Sequence, residues 1–161
     1  MSRPDHLPAF SAFLEANQLE VYRVLRASVG PSDADDCFQE AFLAALRAYP
    51  TLRPGSNLRA WILTIAHRKA IDVHRRRART AVPVAELPEA PAAEGGEPEP
   101  ALWAAVRSLP DGQRAAIVHR YVADLPYAEV GRVLGCSEAA ARQRVAAGLA
   151  KLKEAGLEEE R

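Results

Sequence analysis

The chain has 161 residues, zero formal net charge, 48% hydrophobic and 26% charged residues, which excludes a disordered polymer and fits one ordinary domain or two small ones. Its N-terminus, MSRPDHLPAF, lacks an apolar core of the kind secretory signals carry, and no apolar run is long enough to span a bilayer. A soluble, cytoplasmic protein with no membrane insertion is expected. The zero net charge hides a segregated distribution: residues 1–52 carry −3, 53–80 carry +7, 81–100 carry −5, 101–154 carry +3 and 155–161 carry −2.

Taken in chain order, Phe10, Phe13, Leu14, Val21, Leu25 and Val29 recur at three- and four-residue intervals. That spacing predicts an amphipathic helix or a broken pair of helices, ended by Gly30-Pro31. Ser32 is read as the N-cap of a second helix, with Asp33, Asp35 and Asp36 complementing its positive end. Phe38, Phe42, Leu46 and Tyr49 line its inward side as far as Pro50. After the turn Arg53-Pro54-Gly55-Ser56, a third helix is predicted from about Asn57 to Arg79, with Leu58, Ile62, Ile65 and Val73 inward. Residues 81–100, AVPVAELPEAPAAEGGEPEP, hold five Glu, no basic residue and no aromatic, and read as a flexible acidic linker that cannot fold alone. Beyond it, Leu102, Val106 and Leu109 suggest one helix, and Ile117, Val118, Tyr121 and Val122 another. Tyr127 to Leu134 forms a short helix, Gly135-Cys136-Ser137 a turn in which Gly takes positive φ, and Ser137 caps a final helix through Lys153. This is the layout of a helix-turn-helix. The fold class expected is all-α: two small helical domains, residues 1–80 and 101–161, joined by the linker.

Three constellations carry candidate function. In the last helix, Ala141, Val145, Leu149 and Leu152 form the inward stripe, leaving Glu138, Arg142, Gln143, Ala146 and Ala147 outward. Arg pairs with guanine and Gln with adenine in the major groove, and Arg144 lies on the flank where a phosphate would be; a solvated helix face gives the same pattern. In the basic helix, Arg68, Asp72 and Arg75 share one face and Arg75-Arg76-Arg77 and Arg79 follow at its end. Trp61 and the exposed turn lie beside them, a combination suited to phosphate contact and base stacking on single-stranded DNA, although charge runs also occur on plain solvated faces. On the second helix, Asp36, Gln39, Glu40 and Leu43 point outward, and a leucine within an acidic face hints at a protein interface. The 18 Arg against 3 Lys suit bidentate recognition, although a GC-rich genome produces the same bias. Cys37 and Cys136 are far apart and read as small buried residues. His6, His67, His74 and His119 have no metal-ligand spacing; His67 and His74 are expected on the basic surface. No catalytic residue, metal or cofactor is expected, and the chain is not read as an enzyme.

Three segments, DADDCFQEAFLAAL (33–46), RPGSNLRAWILTIAHRKAIDVHRRR (53–77) and LPDGQRAAIVHRYVADLPYAEVGRVLGCSEAAARQRV (109–145), resemble the extracytoplasmic-function (ECF) group of bacterial RNA polymerase sigma factors. The resemblance covers most of the chain. It implies a region 2 bundle over residues 1–80, a region 4 helix-turn-helix over 101–161, and transcription initiation at specific promoters without chemistry of the chain's own. It further implies that Asp36, Gln39, Glu40 and Leu43 bind the clamp helices of the largest polymerase subunit, the flap being a further contact. Ser56, Asn57, Trp61, Arg68, Asp72, Arg75 and Arg76 would act on minus-ten DNA, and Ser137, Arg142, Gln143 and Arg144 on the minus-thirty-five duplex. The partners implied are core RNA polymerase, promoter DNA and an anti-sigma factor, with the acidic linker mimicking RNA phosphates. The other reading is an autonomous helix-turn-helix regulator that never joins polymerase. Two positions depart from the pattern. Arg68 stands where the family commonly has Asn, and Ala146-Ala147-Gly148 replaces a basic or aromatic end of the recognition helix, Gly148 being expected to weaken that helix by about 1 kcal/mol relative to Ala. The chain ends soon after region 4, so no appended sensory domain is expected.

Overall fold

The computed structural model describes residues 6–80 and 101–156, all helices and short turns without a strand among them; the linker reading for 81–100 falls outside the described residues. Helix α1 (Phe10–Val29) is continuous rather than broken, and its buried side is Phe13, Val21, Val24, Leu25 and Val29. A single residue separates it from α2 (Pro31–Ala48). Gly30, at φ 89°, closes α1 by donating its N–H to the Arg26 carbonyl at 2.9 Å and is also the N-cap of α2. Only glycine adopts that φ without strain, and Pro31 then occupies the first helical position, where its missing N–H costs nothing. The cap expected at Ser32 is therefore displaced by two residues: Ser32 lies inside the helix.

A short 3-10 turn, Tyr49–Thr51, leads to α3 (Leu58–Thr80). Asn57 opens α3 by accepting the Ala60 N–H on its side-chain oxygen at 3.1 Å. α1, α2 and α3 pack on one another as a three-helix bundle. Its centre is aromatic: Phe13 lies 5.4 Å from Tyr49, 5.8 Å from Trp61 and 6.2 Å from Phe42, centroid to centroid.

The second half comprises α4 (Ala101–Ser108), α5 (Asp111–Ile117), α6 (Tyr127–Leu134) and α7 (Glu138–Glu154). α5 does not continue as the α-helix expected from Ile117, Val118, Tyr121 and Val122. It runs into a π-helical turn, Val118–Val122, in which the Ala123 N–H reaches back to the Val118 carbonyl at 3.2 Å. The wider turn shifts the register, so that Tyr121 is 55% exposed and His119 is buried instead. Arg114, itself buried, donates to the carbonyls of Arg107 and Leu109 at 3.1 and 2.8 Å and pairs with Asp111, which ties the α4–α5 corner together.

The two halves do not have separate cores. Buried residues from Phe13 to Leu152 form one contiguous cluster, because α6 packs on α3 while α4 and the π turn pack on α1. At that junction Arg59 pairs with Glu20 at 2.5 Å and donates to the Ala123 carbonyl. A core made from fewer than 80 residues buries too little apolar surface to be generously stable, and each half gains by covering the other. Leu46 and Leu149, expected inward, are 50% and 42% exposed.

Candidate nucleic-acid interface

The acidic surface of α2 forms as expected. Asp36, Gln39 and Glu40 are exposed and Leu43 is 52% exposed, while Cys37, Ala41 and Phe42 on the opposite side are buried. The Cys37 thiol is pushed up to about 11, first by burial and then by the nearby Glu40 carboxylate. Leu46, one turn beyond Leu43, extends the exposed apolar edge. Periodicity alone assigned it to the core, but α2 ends two residues later and nothing covers it among the described residues.

α3 carries the expected minus-ten residues on two separate stretches. At its start, the Ser56 hydroxyl donates to the Arg53 carbonyl at 2.6 Å and Asn57 caps the helix, so both side chains hold the turn that presents them. Trp61 is only half-buried: its ring also belongs to the aromatic core, 6.2 Å from Tyr49. The ring expected to stack on a base is thus anchored in the core on one side. Farther along, Arg68, Asp72, Arg75 and Arg76 are exposed. Asp72, Arg75 and Arg76 line an open groove whose other wall is Glu40, and a continuation of that groove is lined by Asp36, Gln39, Leu43 and Arg76. The acidic face and the end of the basic helix are therefore neighbours across one groove. Arg77 is drawn out of the basic run, donating to the Val29 carbonyl at 2.8 Å and pairing with Asp33.

His67 and His74 are only half-exposed on the basic helix rather than fully on its surface. The His67 ring meets that of His119 edge to face at 5.6 Å across the junction of the two halves, and burial pushes both histidines down to about 4. For His67, His119, Arg68, Arg144 and Arg114 add to the effect; for His119, the Ala115 carbonyl accepting from its ring at 2.8 Å and the Glu20 charge oppose it. His74 contacts the Ser28 carbonyl at 2.7 Å and is also lowered by burial. A histidine in a basic stretch gave no sign of this, because the covering residues come from a different part of the chain.

The helix-turn-helix is formed by α6 and α7. Gly135 stands at φ 73°, ψ 34°, and the Ser137 hydroxyl accepts the Ala140 N–H at 3.0 Å. Arg142 and Gln143 are exposed on α7, as are Ala146 and Ala147. Arg144, beside them on α7, is half-buried: its guanidinium lies alongside Gly112 of α5, and its charge reaches His67. Ser137 is occupied as a cap. Gly148 faces inward against Ile117 and Gln113, so its lack of a side chain serves packing rather than merely weakening the helix. Sequence reasoning missed Tyr127, whose ring centroid lies 4.6 Å from the guanidinium carbons of both Arg120 and Arg142. No local spacing signals a contact made between two helices.

Residues 13–80 match the family model for Sigma-70 region 2, and residues 100–152 that for Sigma-70, region 4. The chain is 32% identical over 144 residues to the ECF RNA polymerase sigma factor SigC of Mycobacterium tuberculosis, an overlap spanning 86% of this chain and 78% of that protein. With the ECF RNA polymerase sigma factor ShbA of Streptomyces griseus the identity is 34% over 140 residues, 76% of this chain and 73% of the relative. The fold is that of the sigma factor RpoE from Bartonella quintana, solved in complex with the anti-sigma factor NepR, at a TM-score of 0.73 and 22% identity over 92% of this chain and 96% of that one. A region 2 bundle followed by a region 4 helix-turn-helix, with relatives of the same group along most of its length, makes this chain a member of the ECF RNA polymerase sigma factors.

Proposed function

We propose that the chain is a promoter-specificity subunit of RNA polymerase that acts in the cytoplasm, carries no catalytic group or cofactor, and leaves RNA synthesis to the core enzyme. Asp36, Gln39, Glu40 and Leu43 form the face that engages the clamp helices. Asn57 and Trp61, with Arg68, Asp72, Arg75 and Arg76 farther along α3, act on the minus-ten strand, Trp61 from its anchored position. Arg142 and Gln143 read the upstream duplex, with the bidentate geometries that suit guanine and adenine. The observation that supports this reading best is the tandem match to regions 2 and 4 in a chain whose acidic α2 face, basic α3 and α7 residues Arg142 and Gln143 are all exposed.

Elements centred near minus ten and minus thirty-five are about 25 base pairs apart, roughly 85 Å along B-form DNA. α6 rests directly on α3 in this structure. The two halves therefore part when both elements are engaged, and the packed arrangement belongs to the factor off the promoter. An anti-sigma factor that binds at the same surfaces would act on this equilibrium.

The test is reconstituted transcription: core polymerase with the full chain, on genomic DNA, with start sites mapped. Specific starts that share two upstream elements, and co-purification with core, are expected. A chain that binds duplex DNA alone but neither co-purifies with core nor directs starts is an autonomous helix-turn-helix regulator instead.

A further inference from the structure

Arg142 is an exposed cation in the first half of the recognition helix, yet it is not loose. Its guanidinium carbon lies 4.6 Å from the centroid of the Tyr127 ring, and one of its nitrogens lies 2.7 Å from a carboxylate oxygen of Glu138, one turn earlier on α7. The ring comes from the first residue of α6, so the two restraints reach the same planar group from different helices. Tyr127 is itself held: the Arg120 guanidinium lies 4.6 Å from the same ring centroid and donates to the Leu125 carbonyl at 2.9 Å, in the loop that delivers Tyr127 to α6. Arg120 sits in the π-helical turn, and the wider turn sets the register that brings it to this ring.

A guanidinium stacks well on an aromatic face because it is planar and weakly hydrated, and at this separation the ring quadrupole attracts it. An unrestrained exposed arginine must surrender most of its rotamer freedom to make a two-pronged contact with guanine. Holding the plane beforehand removes much of that cost, so the restraint acts on base discrimination rather than on general attraction to DNA.

We infer that Tyr127, supported by Arg120 and assisted by Glu138, is a positioning residue that fixes the Arg142 guanidinium for reading a base in the upstream promoter element. The inference rests on the assignment of α7 as the recognition helix, and the experiment separates the two.

Holoenzyme assembled from core polymerase and the full chain selects its upstream element from a promoter duplex library randomised there. Base preference is then measured position by position for wild type, Arg142→Ala, Tyr127→Leu, Tyr127→Phe and Glu138→Gln, at two salt concentrations. A bidentate contact gives a preference of roughly 5- to 150-fold at its position. Arg142→Ala is expected to flatten one or two positions. Tyr127→Leu, which keeps apolar bulk but removes the ring, is expected to lower the preference at those same positions by about fivefold, with the salt slope unchanged because no phosphate contact is lost. Tyr127→Phe, which keeps the ring, is expected to restore it to within about twofold. Preference unchanged in Tyr127→Leu, or lost as fully in Tyr127→Phe, overturns the positioning role. Should Tyr127→Leu fail to fold, Tyr127→Met, which also removes the ring, takes its place: unchanged preference at the Arg142 positions refutes the inference, while Glu138→Gln reports only on the assisting contact. If Arg142→Ala changes no position, the recognition-helix assignment itself fails, whatever the Tyr127 variants do.

Discussion

Replacing Gly131 with alanine should damage the helix-turn-helix, although helix propensity alone predicts the opposite. Gly131 lies inside α6 and is buried. An added methyl there would sit 2.6 Å from the Cys136 carbonyl oxygen, 3.2 Å from the Ser137 carbonyl carbon and 3.3 Å from the Ser137 oxygen. These are backbone atoms of the turn that starts α7, and the Gly131 carbonyl already accepts the Cys136 N–H at 2.9 Å, so the turn is tied down where it would have to yield. Reaching ordinary contact at 3.4 Å requires a displacement of about 0.8 Å. Alanine in a helix gains about 1 kcal/mol over glycine, whereas overpacking costs about 1–3 kcal/mol. A rigid obstacle places the cost near the upper end, for a net loss of about 2 kcal/mol, or roughly 4–8 °C in Tm for a chain of this size. Gly148→Ala is the control: its methyl meets the Ile117 side chain, which has rotamers to use, so the net change should be smaller. Urea unfolding of the two variants beside wild type reads the difference. Gly131→Ala at or above wild-type stability would refute the reasoning, since α6 and the turn would then not be in the close contact the helix-turn-helix depends on.

Reversing charge at Asp36 and Glu40 together (Asp36→Lys, Glu40→Lys) should weaken binding to core polymerase at least tenfold by titration while leaving the unfolding free energy from urea denaturation within about 0.5 kcal/mol of wild type, because both groups are exposed; equal affinity would remove α2 from the interface. The buried His119 and the half-buried His67 against it should make the fold acid-sensitive. His67 and His119 titrate at about 4 in the folded chain against 6.5 in the unfolded one, so the unfolded state takes up protons first. Their stabilisation is complete above pH 6.5 and is lost as pH falls toward 4, by up to about 1.4 kcal/mol per pH unit for each group. The urea midpoint should drop between pH 7.0 and 5.5, and less steeply in His67→Gln; a midpoint that rises on acidification contradicts the packing of the two rings at the junction. Cys37, buried with its thiol pushed up to about 11, should resist a thiol reagent at pH 8 until the chain unfolds. Labelling of Cys37 at the rate of a free thiol in native protein would mean that the α2–α3 groove opens readily.

Much of this molecule was legible without coordinates because its signals are local. Helix boundaries follow from Pro31, Pro50, Gly55, Pro110 and Gly135, and the Ser137 cap and the Gly135 turn are set by the backbone preferences of single residues. The outward placement of Asp36, Glu40, Leu43, Arg142 and Gln143 follows from a 3.6-residue period. What the period cannot resolve is which side of a helix faces a distant segment. His67, Arg59 and Arg144 are covered or engaged across the junction of the halves, at sequence separations over which no pattern repeats. The π turn changed the register after Ile117 through a backbone adjustment that apolar spacing does not encode. Leu46 and Leu149 show the converse, since a side chain at an inward phase is buried only where another element arrives to cover it. The sequence by itself thus determined the helices, the elbow between α6 and α7 and the polarity of each exposed face. The tertiary structure alone decided that the two halves share one core and that Tyr127 lies beside Arg142, because both depend on contacts between residues that only folding brings together.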